Sequence, residues 1–281
     1  MILVKYFIWF VFYSCAGWIY ESTLCSITDK KLVNRGFLNG PVCPVYGVGA
    51  CVVIFFLGDN PSTYLELFVT GAVLACTVEY ITSVLLEKLF HAKWWDYTRY
   101  KFNIHGRVCL LGAIVFGTFS VVLIKFIHPI VEGYTNLVSS TVLFFAVIGA
   151  SIILVTDLIF TVTHLLSLNG RLKQIQGAIN LHYKENEESK SKWLIAKVNS
   201  LQLRGSIEEE AETIKNIFSE IKTSIHGRFE SSEYYTDNIR KLLSVRKLQD
   251  RRIVKAFPRI KSTRYTDALE KLKERINAKG K

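Results

Sequence analysis

Five long apolar runs dominate the first 168 residues, and they restrict the chain to folds in which helices cross a membrane. A helix needs about 20 apolar residues to traverse the hydrocarbon core. The runs cover roughly 2–24, Pro41 to Leu57, 64–90, Val108 to His128 and 137–166. The last carries no charge between Leu137 and Thr156. The second is short and rich in Gly and Pro. Its expected alternative is a re-entrant loop, which is tolerated at membrane depth only where protein or a water-filled cavity covers the backbone. The first run begins like a signal peptide, but it reaches Trp18 and Glu21 without a small-x-small cleavage pattern, so it reads as a retained helix. Phe12-Tyr13-Ser14-Cys15 is a poor lipid-attachment site.

Charge divides the chain in two. Residues 1–166 hold 10 Lys+Arg and 9 Asp+Glu, whereas 167–281 hold 25 and 15. The expected organisation is all-α: a five-crossing polytopic bundle over 1–168 and a basic, helical cytoplasmic tail over 169–281. The loop after the first run carries Lys30, Lys31 and Arg35, and the loop after the third carries five Lys or Arg; the other two short loops carry none. The positive-inside rule then puts the N-terminus outside and the tail in the cytoplasm of a cell-membrane protein. The stretch Lys184 to Lys192 reads as a polar link to the tail. Tail helices are expected at Glu208 to Ile225, Asn238 to Phe257 and Thr266 to Asn277, with apolar spacing suited to a helical hairpin or a homo-oligomer.

Ionisable residues inside or beside the runs are the candidate site. A charge at membrane depth costs roughly 2.5–3.5 kcal/mol on insertion scales, so Glu79 calls for a partner or a wet cavity. Thr82, Ser83 and Glu87 share its broad helix face. Glu21, Arg35, Asn39, Asp96, Asn103 and Arg107 lie at or near the ends of neighbouring runs. The expectation is a substrate- or ion-binding vestibule open to the cytoplasm, formed by Glu21, Arg35, Asn39, Glu79, Glu87, Asp96, Asn103 and Arg107. The competing reading is structural: a buried glutamate joining helices, and Arg35 in one interfacial ion pair. Asn39 and Gly40 are expected at a helix start, where free amides favour an anion. Arg35 could pair with Glu21 or Glu87, or bind a carboxylate or phosphate. The rings of Trp94, Trp95 and Tyr97 fit an interfacial belt. Asp157 and Thr161 are weaker candidates for the same cluster.

The tail concentrates ten Lys+Arg and one acid between Arg240 and Arg264. Arg240, Lys241, Arg246, Lys247, Arg251 and Arg252 are the expected contacts to anionic lipid or a partner protein. Nucleic acid is not expected, because no zinc finger, ribonucleoprotein motif or stacking pattern accompanies the charge. The six cysteines all lie in the apolar half, without zinc-ligand spacing, so neither metal nor disulfide is expected. The sequence has no phosphate-binding Gly-x-x-x-x-Gly-Lys-Ser/Thr loop, nucleophile elbow, His-Glu-x-x-His or dinucleotide fingerprint. No cofactor is expected, and any ATP hydrolysis would belong to another chain.

Several blocks carry a resemblance: Tyr13-Ser14 with Gly17-Trp18 and Glu21, NRGFLNGPVCPVYGVG from Asn34 to Gly49, Glu79-Tyr80, Glu87-Lys88, WWDY from Trp94 to Tyr97, Phe102-Asn103, Gly106-Arg107, and AFPRIKSTRYTDALEKLKE from Ala256 to Glu274. Together they resemble a bacterial family of CmpB-like membrane proteins, the ABC-transporter type IV permeases. The resemblance implies a permease-like transport subunit that needs a separate ATPase or other partner. Two other readings stay open: a membrane enzyme acting on a lipid or lipid phosphate at the inner interface, and a non-catalytic scaffold acting through its tail.

Overall fold

The computed structural model describes residues 1–58, 63–202 and 248–278. Helix α1 spans Ile2–Asp29, and Lys30 stops it in the left-handed conformation (φ 51°), its amide turned back to Ile27 O. An irregular stretch then leads to α2 (Pro44–Leu57), which Pro44 opens from a position that needs no amide donor. Helix α3 (Tyr64–Phe90) starts at Thr63, whose hydroxyl accepts from Glu66 N, and ends at His91, again left-handed. A hairpin of β2 (Asn103–Ile104) and β3 (Val108–Cys109) follows the short β1 (Ala92–Lys93). Helix α4 (Leu110–Val122) passes through a π-turn at Leu123–Ile127 into α5 (His128–Leu137). Pro129 explains the π-turn. It offers no amide to the preceding turn, so the helix re-registers just before it.

Among the described residues four helices are long and apolar enough to cross a membrane: Ile2–Thr28, Tyr64–Phe90, Leu110–Leu137 and Ser140–Leu181. The second expected crossing is different. Its helix has 14 residues, about 21 Å of rise against the roughly 30 Å hydrocarbon core. Irregular backbone precedes it and follows α1. Val33 N donates to Ser26 Oγ (3.0 Å) and Arg35 N to Ser22 Oγ (3.1 Å). Trp18 Nε1 donates to Asn34 Oδ1 (2.7 Å), and Cys43 N to Ser14 O (2.9 Å). Farther along, Gly47 lies against Ser14 and Phe10, and Cys51 Sγ meets Tyr6 O at 3.6 Å. Residues 33–57 therefore run antiparallel to α1, from its C-terminal end to its N-terminal end, half as irregular chain and half as helix. Ser14, Trp18, Ser22 and Ser26 recur every four residues, so one stripe of α1 meets the irregular half at Val33, Asn34, Arg35 and Cys43.

Close helix approaches hold the bundle. Gly71 of α3 faces Ser120 of α4, and Gly117 of α4 faces the Phe68 backbone; a Cβ at either glycine would overlap its neighbour. Small residues at such crossings let helices pack in lipid, where burial of apolar surface gives no drive. The buried core joins Trp9, Tyr13, Val53, Ile54, Leu57, Leu67, Leu123 and Ile124. Its polar edges are satisfied: Trp9 Nε1 donates to Thr135 Oγ1 (3.1 Å), and Tyr13 Oη meets His128 Nδ1 (3.1 Å).

Helix α6 runs from Ser140 to Gln202. The expected polar link at Lys184 to Lys192 is thus helical, part of one unbroken element. The chain divides into two compact units, one of 1–169 with 247–264, the other of 170–246 with 265–281. In the first, α7 (Leu248–Ala256) and β4 (Lys261–Ser262) return to the bundle, and β4 pairs antiparallel with β1. In the second, α8 (Thr266–Ala278) buries Ala268, Leu269, Leu272 and Ile276, and α6 buries Leu172, Ile175 and Ile179. Gln176 bridges these helices, donating to Asp267 Oδ2 (3.0 Å) and accepting from Ala268 N (3.2 Å). The helix expected at Glu208 to Ile225 lies outside the described residues. The one expected at Asn238 to Phe257 is described from Leu248 onward.

Candidate functional site

The first unit brings ionisable and phenolic side chains from four separate elements into one polar layer. Glu79, on α3, is buried at 8% exposure. Tyr97 Oη donates to its Oε1 at 3.2 Å, while Oε2 is buried with no hydrogen-bond partner among the described residues. Glu21, on α1, accepts from Tyr46 Oη of α2 at 2.6 Å and lies 3.7 Å from Arg35 Nε. Burial, with the Glu79 and Glu21 carboxylates nearby, pushes the Tyr97 phenol well above its usual range. The loop before the hairpin presents Tyr97, whose amide donates to Gly106 O of the hairpin turn (2.8 Å). Gly106 holds a left-handed turn (φ 66°) where a Cβ would strike Thr98.

Arg107 reaches α3 beside this layer. It pairs with Glu87 at 2.6 Å, donates to Ser83 Oγ at 3.0 Å, and lies over the Tyr80 ring at 5.7 Å. Ser83 and Glu87 follow Glu79 at four-residue steps, so one face of α3 carries the whole column. Tyr80 Oη meets His105 Nδ1 at 3.1 Å.

A second polar cluster closes the irregular half of the crossing. Asp157 Oδ1 accepts from Asn39 N (3.0 Å) and Asn39 Nδ2 (2.9 Å), and Oδ2 accepts from Gly40 N (2.8 Å). Thr161 Oγ1 adds a bond to the same carboxylate (3.2 Å). Asn39 and Gly40 do present amides to an anion, but the anion is the chain's own Asp157, and α2 starts four residues later. Beside this cluster an open depression of about 500 Å³ is lined by Asn39, Ile152, Ile153, Thr156, Asp157 and Phe160.

The remaining expected positions have structural partners. Asp96 binds Lys261 Nζ (2.6 Å) and accepts from Thr98 N (3.0 Å). Those bonds hold its carboxyl well below the usual carboxylate range. Asn103 accepts from Gly106 N (2.9 Å) and donates to Tyr100 O (2.9 Å), which shapes the hairpin. Glu21, Arg35 and Glu79 share the neighbourhood of Tyr46 and Tyr97; Glu87 and Arg107 form the adjoining pair. Asp96, Asn39 and Asn103 are engaged elsewhere.

Sequence reasoning missed several participants. Tyr97 and Tyr46 supply the phenols on the two glutamates, yet each read as an aromatic of an apolar run or belt. Trp94 is buried among Phe37, Phe90 and Phe257 rather than lying in a belt. Arg252 is turned inward: it donates to Gly36 O (3.0 Å), Leu38 O (2.8 Å) and Phe37 O (3.1 Å). Arg251 is described and half-buried; Arg240, Lys241, Arg246 and Lys247 lie outside the described residues. Asp250, fully buried, pairs with His164 at 2.9 Å. A sequence signal existed for one set, the four-residue serine stripe of α1.

Among the described residues no group of three or more His, Cys, Asp or Glu is placed to hold a metal ion. No curated protein and no solved structure matches the chain. A family model does match, over residues 8–162, the stretch that carries most of α1, all of α2 to α5, the polar layer and Asp157. This membrane protein, with its four long apolar helices, belongs to the family described as "Putative ABC-transporter type IV".

Proposed function

We propose that the chain is the permease-like membrane subunit of a transport assembly driven by a separate ATPase. The observation that carries this reading is Glu79: a buried carboxylate inside a membrane span, one oxygen on Tyr97 and the other without a hydrogen-bond partner among the described residues. Anchoring a protein in lipid needs no such group, and intramembrane acids mark pathways for ions, protons or substrate. The interrupted crossing supports the same reading, because transporters build their binding sites where a spanning helix is broken. In this reading Glu79, Glu21, Tyr46 and Tyr97 contact what is moved, and Arg35, Glu87 and Arg107 border the entrance. The N-terminus faces outward. The loops at 30–35 and 88–107 face the cytoplasm, along with the C-terminal region. There the basic residues meet anionic lipid and the ATPase.

The alternative of a lipid-phosphate enzyme has less support. It needs free guanidinium groups, and both candidates are engaged: Arg35 by Ala256 O (2.6 Å) and Arg107 by Glu87 and Ser83. The test is purification in mild detergent, followed by reconstitution into vesicles. A nucleotide-binding protein should copurify in fixed ratio, and its ATP hydrolysis should rise when this chain is present and fall in E79Q. A chain that purifies folded and alone, and leaves ATP hydrolysis by a nucleotide-binding protein of its own cell unchanged, would refute the proposal.

A further inference from the structure

The contacts of residues 248–264 form a continuous path to the polar layer. Arg252 grips the irregular half of the crossing by three consecutive carbonyls, those of Gly36, Phe37 and Leu38. Four residues on, Ala256 O accepts from Arg35 Nη1 at 2.6 Å, and the Phe257 ring lies 4.9 Å from the Arg35 guanidinium carbon. Arg35 in turn stands beside Glu21, which holds Tyr46. Other anchors fix the ends of the segment. Asp250 pairs with His164 on α6. Thr263 N donates to His91 O at 2.8 Å, β4 pairs with β1, and Lys261 binds Asp96. Ile253, Val254, Ala256, Phe257 and Ile260 are buried, so lifting the segment would expose apolar surface.

We infer that residues 248–264 are a strap that regulates the polar layer: docked, it holds Arg35 against Glu21 and closes the interrupted crossing; lifted, it frees both. The inference rests on the transport reading for its purpose, not for its geometry. Irregular backbone cannot stay dry without partners. Removing the strap takes away the Arg252 donors from three carbonyls and both Ala256 O and Phe257 from Arg35. Water must then enter the irregular half, or the backbone must rearrange. The strap therefore couples to two states of the crossing rather than to a graded displacement. Whatever engages the C-terminal region can act on Glu21 and Tyr46 through Arg35.

Hydrogen exchange of the full chain in lipid nanodiscs tests this without substrate or ATPase, so its outcome is separable from that of the transport proposal. R252A should speed exchange across 34–47 about tenfold, with α3 and α4 unchanged. Faster exchange confined to 248–264, or spread evenly over the bundle, overturns the inference. If R252A does not accumulate, A92C/S262C decides, since these positions face each other across β1 and β4. Its oxidised form should exchange more slowly over 34–47 than its reduced form, against wild type treated alike. Equal exchange in the two forms overturns the inference.

Discussion

Asp157 offers the sharpest test of how the interrupted crossing is held. Its carboxylate accepts two bonds from Asn39, one from Gly40 N and one from Thr161. Two of the four donors are backbone amides of irregular chain, with no helix to satisfy them. A hydrogen bond to a charged group contributes about 1.5–3 kcal/mol, and a buried donor left without a partner costs about 1–3 kcal/mol. Asp157 is partly exposed, so summing four full bonds would overshoot; D157A should destabilise the bundle by about 3 kcal/mol. D157N should cost about half as much, because its amide oxygen replaces Oδ1 while its NH2 opposes Gly40 N–H. Thermal unfolding in detergent, followed by size-exclusion profile, should fall by several degrees for D157A and less for D157N. N39A combined with D157A should cost clearly less than the sum of the two, since they share bonds. Equal midpoints for wild type and D157A, or strict additivity with N39A, would refute the assignment of Asp157 as the acceptor that closes the break.

Three further outcomes follow from the packing and the ion pairs. G71L or G117L should prevent α3 and α4 from approaching and cost about 3 kcal/mol or more, read as loss of monodisperse protein; G149L should be tolerated, because a Cβ there meets nothing within 4 Å. R107K keeps the charge but loses the fork shared by Glu87 and Ser83, so it should lower the unfolding midpoint, by about 1–2 kcal/mol; an unchanged midpoint contradicts the pairing. The folded state depresses the Asp96 carboxyl, so its stabilising contribution is fully present above about pH 4, the ordinary carboxylate range. It is lost as pH falls through the folded value. D96N should therefore loosen the β1–β4 contact equally at pH 5 and pH 8, as read by proteolysis near Lys261; a D96N effect that appears only at the higher pH would contradict this.

The membrane helices were legible because hydropathy needs only run length, and helices of 27 or more mostly apolar residues admit few other folds. The second crossing was half legible. Pro41, Pro44, Gly47 and Gly49 signalled a break, but its partner stripe lies in α1, where hydropathy gives Ser14, Ser22 and Ser26 no weight. Glu79 stood out through its charge. Tyr97 did not, because an aromatic beside a membrane run has a generic explanation in the interfacial belt. The inward turn of Arg252 was out of reach for a different reason. Ten cations between Arg240 and Arg264 are equivalent by composition, and only folding brings Arg252 to carbonyls more than 200 positions away. Pairings at that separation leave no trace in local periodicity.

The irregular half of the second crossing is served by three distant parts of the chain, and their chemistry is sorted by need. Its amides at Val33, Arg35, Asn39 and Gly40 meet acceptors: two serine hydroxyls of α1 and the Asp157 carboxylate. Its carbonyls at Gly36, Phe37 and Leu38 meet a cation, Arg252. A continuous helix would satisfy all of these groups with no outside help. Keeping the break requires α1, α6 and the C-terminal strap to be in place together, so disturbing any one of them leaves backbone groups of the others' client segment exposed. That mutual dependence puts the strap and the polar layer under one constraint: Arg35 belongs to the irregular half and also touches Glu21 and Ala256. A change at either end of this residue is transmitted through the break itself, which is why the interruption, rather than any single charge, is the element on which coupling between the two ends would act.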